Sequence, residues 1–171
     1  LAWHQPGIIT DQLLLNSFKE DSELAPFAIS CAGDRMIPDI AEKVSPFLKS
    51  DNPSLSAAAA VGILKQDTNH HESKLILDSL MESDDPTILC TTIGFLKQSG
   101  QWISTENKKR FLGHESHDVR NQILAVFKGS PDSDFLVSII RNLANASTFD
   151  AAKSALKQYD PSLVTDRFYH F

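Results

Sequence analysis

One short motif recurs along the chain at an almost constant spacing. The sequence Gly-Ile-Leu-Lys-Gln at 62–66 returns as Gly-Phe-Leu-Lys-Gln at 94–98, and two degenerate copies follow. The lysines that the four copies share are Lys65, Lys97, Lys128 and Lys157. Successive members of this set lie 32, 31 and 29 residues apart. A period of this length is typical of proteins in which one supersecondary unit stacks on the next, so the recurrence predicts a repeat array.

The segment 54–66 has almost no polar face before Lys65 and Gln66. A helix of this composition must be covered on two sides, and its four alanines and Gly62 allow neighbouring backbones to approach closely. Amphipathic segments alternate with such small-residue segments, and no stretch shows the period-2 alternation of a strand. The sequence therefore predicts an all-α chain of about five antiparallel helix pairs joined by short loops.

Turn signals divide the chain into similar units. Asp-Asn-Pro at 51–53 recurs as Asp-Asp-Pro at 84–86, which is 33 residues further on, and each proline suits the first position of a helix. We predict a single domain over 1–171. Its predicted units are 8–34, 35–67, 70–100, 103–129 and 131–159, followed by a terminal helix at 161–170.

The units resemble HEAT repeats of the compact bacterial type, which belong to the armadillo-like α-solenoids. The resemblance rests on an outer amphipathic helix, an Asp-x-Pro or Asp-x-x-Val turn, and an inner helix ending in Gly-x-Leu-x-(Gly/Gln)-Asp. It is best at 51–67 and next best at 84–100, and Val119-Arg120 matches the family's usual dipeptide after the turn. It covers about 21–158 and implies a right-handed α-solenoid. The family's inner-helix arginine is absent from the two best units, and the fourth pair is shortened.

The composition of the chain argues against some classes of function. The net charge of -6 argues against a dedicated DNA or RNA binder. No apolar run reaches the roughly 18 residues of a membrane span, so membrane insertion is not expected. Cys31 and Cys90 lie in apolar helical runs, which favours reduced thiols and a cytoplasmic location. Because the chain begins at Leu1, we expect a processed product or a fragment of a longer protein.

The recurring lysines admit two interpretations. Near the end of a helix, a lysine binds terminal carbonyls and complements the helix dipole. In a stacked array, equivalent lysines would also align along one edge and could meet an acidic partner. On the second interpretation, the predicted partner-binding residues are Lys65, Lys97, Lys128 and Lys157, with Arg120 and Gln122 near the inner face.

Histidines raise the question of a metal site, at 70–71 and at His114 and His117. The two clusters belong to opposite ends of adjacent outer helices, which would separate them by roughly 16 Å. Zinc needs its ligands within about 2.0 to 2.3 Å of one point, so we predict loop histidines and no metal. No Gly-x-Ser-x-Gly motif and no glycine-rich phosphate loop is present, and we predict neither catalysis nor a cofactor.

The sequence thus favours a non-catalytic scaffold or regulatory module that binds another protein, or a flanking domain, across its inner helices. Two alternatives stay open. One is a HEAT-like enzyme or nucleic-acid-binding protein, similar to DNA-base glycosylases or bilin lyases. The other is a regulatory domain appended to a larger membrane or signalling protein. Aromatic residues near the ends and in loops either cap the array or dock onto a neighbour: Trp3, Trp102, Phe168, Tyr169 and Phe171.

Overall fold

The computed structural model describes residues 11–19, 22–99, 103–128 and 132–168, with the backbone alone at 98 and 99. These residues form α-helices and short 3-10 turns, and no strand occurs in the described ranges. The prediction of an all-α fold is confirmed. The chain divides into two compact units, unit 1 at 1–101 and unit 2 at 102–171. Repeats in an array contact only their neighbours, so an array can also divide into two contact units. The single domain, its repeat boundaries and the solenoid therefore stay predictions.

Unit 1 begins with small helices and continues with longer ones. Its helices are α1 (Asp11–Asn16), α2 (Ala25–Asp34), α3 (Ile40–Val44), α4 (Pro53–Gln66), α5 (His71–Met81) and α6 (Pro86–Ser99). A 3-10 turn at Ser45–Lys49 follows α3 directly and contains Pro46. The sequence predicts a kink at Pro46, because proline inside a helix removes a backbone donor and clashes with the preceding turn. The structure shows a change from α-helix to 3-10 turn at this point.

The two matching turns begin their helices with the same hydrogen bond. The side-chain oxygen of Asn52 accepts from the backbone N–H of Ser54 at 3.0 Å, and that of Asp85 accepts from Thr87 at 2.8 Å. Pro53 and Pro86 are the first residues of α4 and α6. Because a first-turn N–H has no intrahelical partner, both the cap and the proline are favourable there. The predicted equivalence of the two turns is confirmed at this local level.

Helix α4 is the centre of unit 1. Every residue from Leu55 to Leu64 is buried. The helix packs against α2, α3, the Ser45–Lys49 turn, α5 and α6. This covering confirms the prediction that so apolar a helix cannot lie at the surface.

The closest approach in unit 1 joins Gly33 of α2 to Gly62 of α4. A Cβ atom added at Gly33 would lie 2.9 Å from the Cα of Gly62 and 3.2 Å from Cδ of Lys65. The sequence suggests Gly33 as a helix C-cap, and this prediction is wrong. Helix α2 continues to Asp34, and Arg35 is its C-cap. Gly33 instead allows two backbones to touch.

Unit 2 is built from shorter elements. It contains α7 (Thr105–Leu112), α8 (His117–Phe127), α9 (Leu136–Arg141), α10 (Phe149–Leu156) and α11 (Pro161–Phe168), with 3-10 turns at Ser133–Phe135 and Asn142–Ala144. Helix α8 packs against α7 and α10, and α9 packs against α7, α10 and α11. The rings of Phe127 and Phe135 lie 5.1 Å apart in the core, and the ammonium of Lys108 lies over both.

Buried polar groups connect the short elements of unit 2. The amide nitrogen of Asn142 donates to the carbonyls of Leu112 at 3.1 Å and Ser138 at 2.9 Å. The hydroxyl of Thr148 donates to the Asn142 carbonyl at 2.7 Å. The sequence suggests Ser147 as the cap of α10, and this prediction is wrong. Thr148 is the N-cap, and no side chain caps the helix. These hydrogen bonds hold the loop between α9 and α10 in place.

None of the helices in the described ranges has the length and apolar character that a membrane-spanning helix requires. Cys31 and Cys90 are half-buried rather than fully buried. Burial raises the pKa of the Cys31 thiol, with a smaller contribution from Asp34. Of the aromatic residues noted near the ends and in loops, only Phe168 lies within the described residues, where it is exposed.

Two glycine substitutions test the contact between α2 and α4. Gly33→Ala forces its Cβ against the backbone of Gly62 and should lower the free energy of unfolding by about 1–3 kcal/mol. Gly94→Ala is the matched control, because a Cβ at Gly94 of α6 meets no atom within 4 Å. Alanine is the better helix former, so this variant should be as stable as wild type or up to about 1 kcal/mol more stable. Urea unfolding followed by circular dichroism measures both, and equal effects would contradict the close contact.

Candidate functional site

The four recurring lysines lie at the ends of their helices. Lys65 and Lys97 belong to the last turns of α4 and α6. The sequence predicts each lysine as the second- or third-last residue of its helix. This is wrong for Lys128 and Lys157, which lie one residue beyond α8 and α10 as their C-caps. Two of the lysines belong to unit 1 and two to unit 2. Whether the four form one stripe therefore stays a prediction.

The side chain of Lys65 makes its contacts inside unit 1. Its ammonium lies 2.5 Å from a carboxylate oxygen of Asp34 and donates to the carbonyl of Ser30 at 3.2 Å. The Lys65 side chain is only 8% exposed. The neighbouring Gln66 donates to the carbonyl of Ile37 at 2.8 Å. The end of α4 is thereby joined to α2, so Lys65 binds a neighbouring helix and not the terminal carbonyls of its own helix.

The other predicted residues differ in their surroundings. Lys97 and Lys128 are exposed, and Gln122 is half-buried in α8. Arg120 is bound to the loop that precedes its own helix: its guanidinium donates to the carbonyls of His114 and Glu115 and contacts Nδ1 of His117. Arg120 therefore organises the turn before α8.

The histidines that raised the metal question have local hydrogen bonds. Nδ1 of His70 accepts from the backbone of Ser73 at 3.3 Å and caps α5, while Nδ1 of His114 accepts from the backbone of Ser116 at 3.0 Å. His117 faces the guanidinium of Arg120. No group of three or more histidine, cysteine, aspartate or glutamate side chains with metal-binding geometry occurs among the described residues.

An apolar groove lies between α10 and α11 in unit 2 and brings Lys157 and Phe168 together with residues that the sequence did not single out. Its volume is about 510 Å³. We call it the α10–α11 groove, and it is lined by Leu143, Phe149, Lys153, Leu156, Lys157, Tyr159, Pro161, Val164, Thr165 and Phe168. Such a volume is within the range of binding pockets in proteins.

The groove remains open because α11 covers little of it. Helix α11 has no buried residue, and Phe168 is 54% exposed. On the opposite wall, Phe149 of α10 is 43% exposed. Large apolar side chains scattered singly on a surface are ordinary, but here they share one concave lining. Apolar area at this groove is therefore available for burial by another molecule.

The charged groups of the lining are both cationic. Lys153 lies one helical turn from Lys157, and its ammonium is 5.9 Å from the centre of the Phe149 ring. No aspartate or glutamate occurs among the lining residues that the structure describes. Asp150, Asp160 and Asp166 each adjoin a lining residue in the sequence. Asp160 accepts hydrogen bonds from the side chain and the backbone of Ser162, which lower its pKa. The groove thus presents a positive edge on a chain whose net charge is -6.

Tyr159 holds one side of the groove in place. Its hydroxyl donates to the carbonyl of Asp132 at 2.8 Å and accepts from the backbone N–H of the same residue at 2.9 Å. Burial raises the pKa of this phenol above its ordinary value, so it remains neutral at physiological pH. The residue forms part of the apolar lining while its polar atom is paired with backbone.

Sequence reasoning identified Lys157, and it named Phe168 among the aromatic residues that either cap the array or dock onto a neighbour, but it missed Lys153, Phe149 and Val164. One signal was present: residues 149, 153 and 157 are four apart, which places them on one face of a helix. The pairing of that face with α11 depends on tertiary structure.

Comparisons of the chain with family models, with curated proteins and with solved structures find no match. The resemblance to HEAT repeats therefore continues to rest on the recurring motifs alone.

Two lysine substitutions test whether Lys65 stabilises unit 1 through its internal contacts, whereas Lys97 is a surface residue. Lys65→Met keeps much of the aliphatic side chain but removes the ammonium that binds Asp34 and Ser30. We expect the free energy of unfolding to fall by about 1–2 kcal/mol. Lys97→Met, at the equivalent exposed position, should change it by less than about 0.5 kcal/mol. Urea unfolding measures both, and a Lys65→Met variant as stable as wild type would contradict the internal role.

Proposed function

We propose that this chain is a non-catalytic interaction module of the HEAT-like α-solenoid type, which binds a segment of another protein in the α10–α11 groove. The observation that carries the proposal is the open apolar lining, in which Phe149 and Phe168 are each about half exposed. Burying apolar surface contributes about 25 cal/mol per Å², so a partner that covers these side chains gains affinity. The proposed location is cytoplasmic, as the two cysteines favour.

The openness of the groove supports a protein partner over a small molecule. Pockets for small ligands bury about 70–90% of the ligand surface. A groove whose wall residues are themselves half exposed leaves one side of its occupant in water. A segment of a protein tolerates this arrangement, because its outward side can be polar.

The chemistry of the lining supports a binding role over a catalytic one. The ionisable residues that line the groove are two lysines and a tyrosine whose hydroxyl is paired with the backbone of Asp132. General acid–base catalysis needs a group whose proton can be transferred near neutral pH, and carboxylates and imidazoles usually supply it. Neither group occurs among the described residues that line the groove.

A selection from a random peptide library tests the proposal. Peptides enriched on the wild-type protein should bind at least tenfold more weakly to Val164→Asp or Phe168→Asp, because each variant places a carboxylate in the apolar lining. The matched control is Leu75→Asp, which changes an equally exposed leucine on α5 of unit 1. Thermal unfolding must show that all three variants fold.

Binding is then measured by fluorescence anisotropy with the enriched peptides. Full affinity for Leu75→Asp and lost affinity for the two groove variants would support the module. Unchanged affinity for the folded Val164→Asp and Phe168→Asp variants would contradict it, as would a library that yields no binder.

A further inference from the structure

We infer that the occupant of the α10–α11 groove is an amphipathic α-helix of another protein that carries two carboxylates four residues apart. This inference rests on the proposed function and adds the conformation and charge of the partner. It follows from the chemistry of three features: the apolar lining, the helices that form the walls, and the spacing of Lys153 and Lys157.

The walls of the groove favour a helix over an extended strand. Strand addition requires a free sheet edge whose backbone groups can pair with the incoming segment. Here the walls are α10 and α11, whose backbone groups are engaged within helices. A helical segment satisfies its own backbone internally and contributes side chains only. An occupant that needs no backbone partner therefore suits this groove better than one that seeks such partners.

The apolar lining offers the kind of surface on which the apolar face of an amphipathic helix packs. Its apolar part comes from both walls, with Phe149 and Leu156 on α10 and Val164 and Phe168 on α11. An amphipathic helix inserts one stripe of apolar side chains, at positions such as i, i+3, i+4 and i+7, and keeps its polar face in solvent. The half-exposed walls suit this arrangement, since they leave the outward face of the occupant uncovered.

The two lysines of the lining determine which charges the flank of the incoming helix should carry. Lys153 and Lys157 are four residues apart and lie along one edge of the groove. Residues at this spacing stand about 6 Å apart on a helix. Two carboxylates four residues apart on a helix lying alongside α10 have the same spacing, so both ion pairs can form at once. A partner with lysines or arginines on that flank would be repelled.

Ionic contacts at the rim of such a site contribute to specificity and association rate more than to affinity, whereas the apolar stripe supplies most of the affinity. The acidic pair is thus the feature that distinguishes one amphipathic helix from another. The lysine edge stands out because the whole chain carries 22 acidic residues against 16 basic ones.

The test uses a display library built on one stable helical scaffold whose exposed face is randomised. Selection is carried out on the full wild-type chain and on Lys153→Glu/Lys157→Glu. The matched control is Lys74→Glu/Lys109→Glu, which reverses two exposed lysines that are not part of the lining. Thermal unfolding confirms that both double variants fold.

Wild type should enrich helices with an apolar stripe and an Asp or Glu pair four residues apart. Their affinity should fall at least tenfold on Lys153→Glu/Lys157→Glu, remain on the control, and weaken as salt is raised. The groove variant should itself enrich helices with Lys or Arg at the same two positions. Enrichment without acidic residues, or equal affinity for both double variants, would overturn the inference.

The two proposals fail in different ways. Peptides that lose binding on Val164→Asp but not on Lys153→Glu/Lys157→Glu would retain the groove as a docking site and reject the acidic pair. Groove-dependent binders that are extended and never helical would reject the helix. Binding that survives Val164→Asp would reject the groove itself, and with it the proposed function.

Discussion

The contact between Gly33 and Gly62 determines how unit 1 is assembled. A Cβ atom at Gly33 would lie 2.9 Å from the Cα of Gly62, so α2 and α4 meet backbone to backbone. This approach brings Lys65 at the end of α4 within reach of Ser30 and Asp34. Because α4 also packs against α5 and α6, its buried position connects most of the unit. A wider separation of α2 and α4 would remove both the apolar packing and the ion pair.

Unit 2 depends more on hydrogen bonds at the ends of short helices. Asn142 joins the α9 end to the carbonyl of Leu112, and Thr148 closes the turn before α10. Tyr159 binds both backbone groups of Asp132 after α10 ends. These bonds place α10 firmly, whereas α11 has no buried residue. The groove exists because a fixed helix is only partly covered by the helix that follows it.

Local features of this fold were predictable from sequence, and tertiary ones were not. The caps at Asn52 and Asp85 depend on adjacent residues, so the sequence patterns identify them. Lys65 and Lys97 occupy the same local motif, yet one is buried in an ion pair and the other is exposed. The difference arises from Asp34, a residue on another helix. Likewise, the four-residue spacing of the groove lysines is visible in sequence, but the apolar wall opposite them belongs to α11.

We propose that partners bind between α10 and α11. The most direct measurement is amide chemical-shift mapping by NMR on the labelled full chain as an acidic amphipathic helix is added. We expect saturable shift changes that are largest at residues 149–168, with residues 53–66 unchanged. Largest changes within 11–99, or around 114–122, with residues 149–168 unaffected, would contradict it.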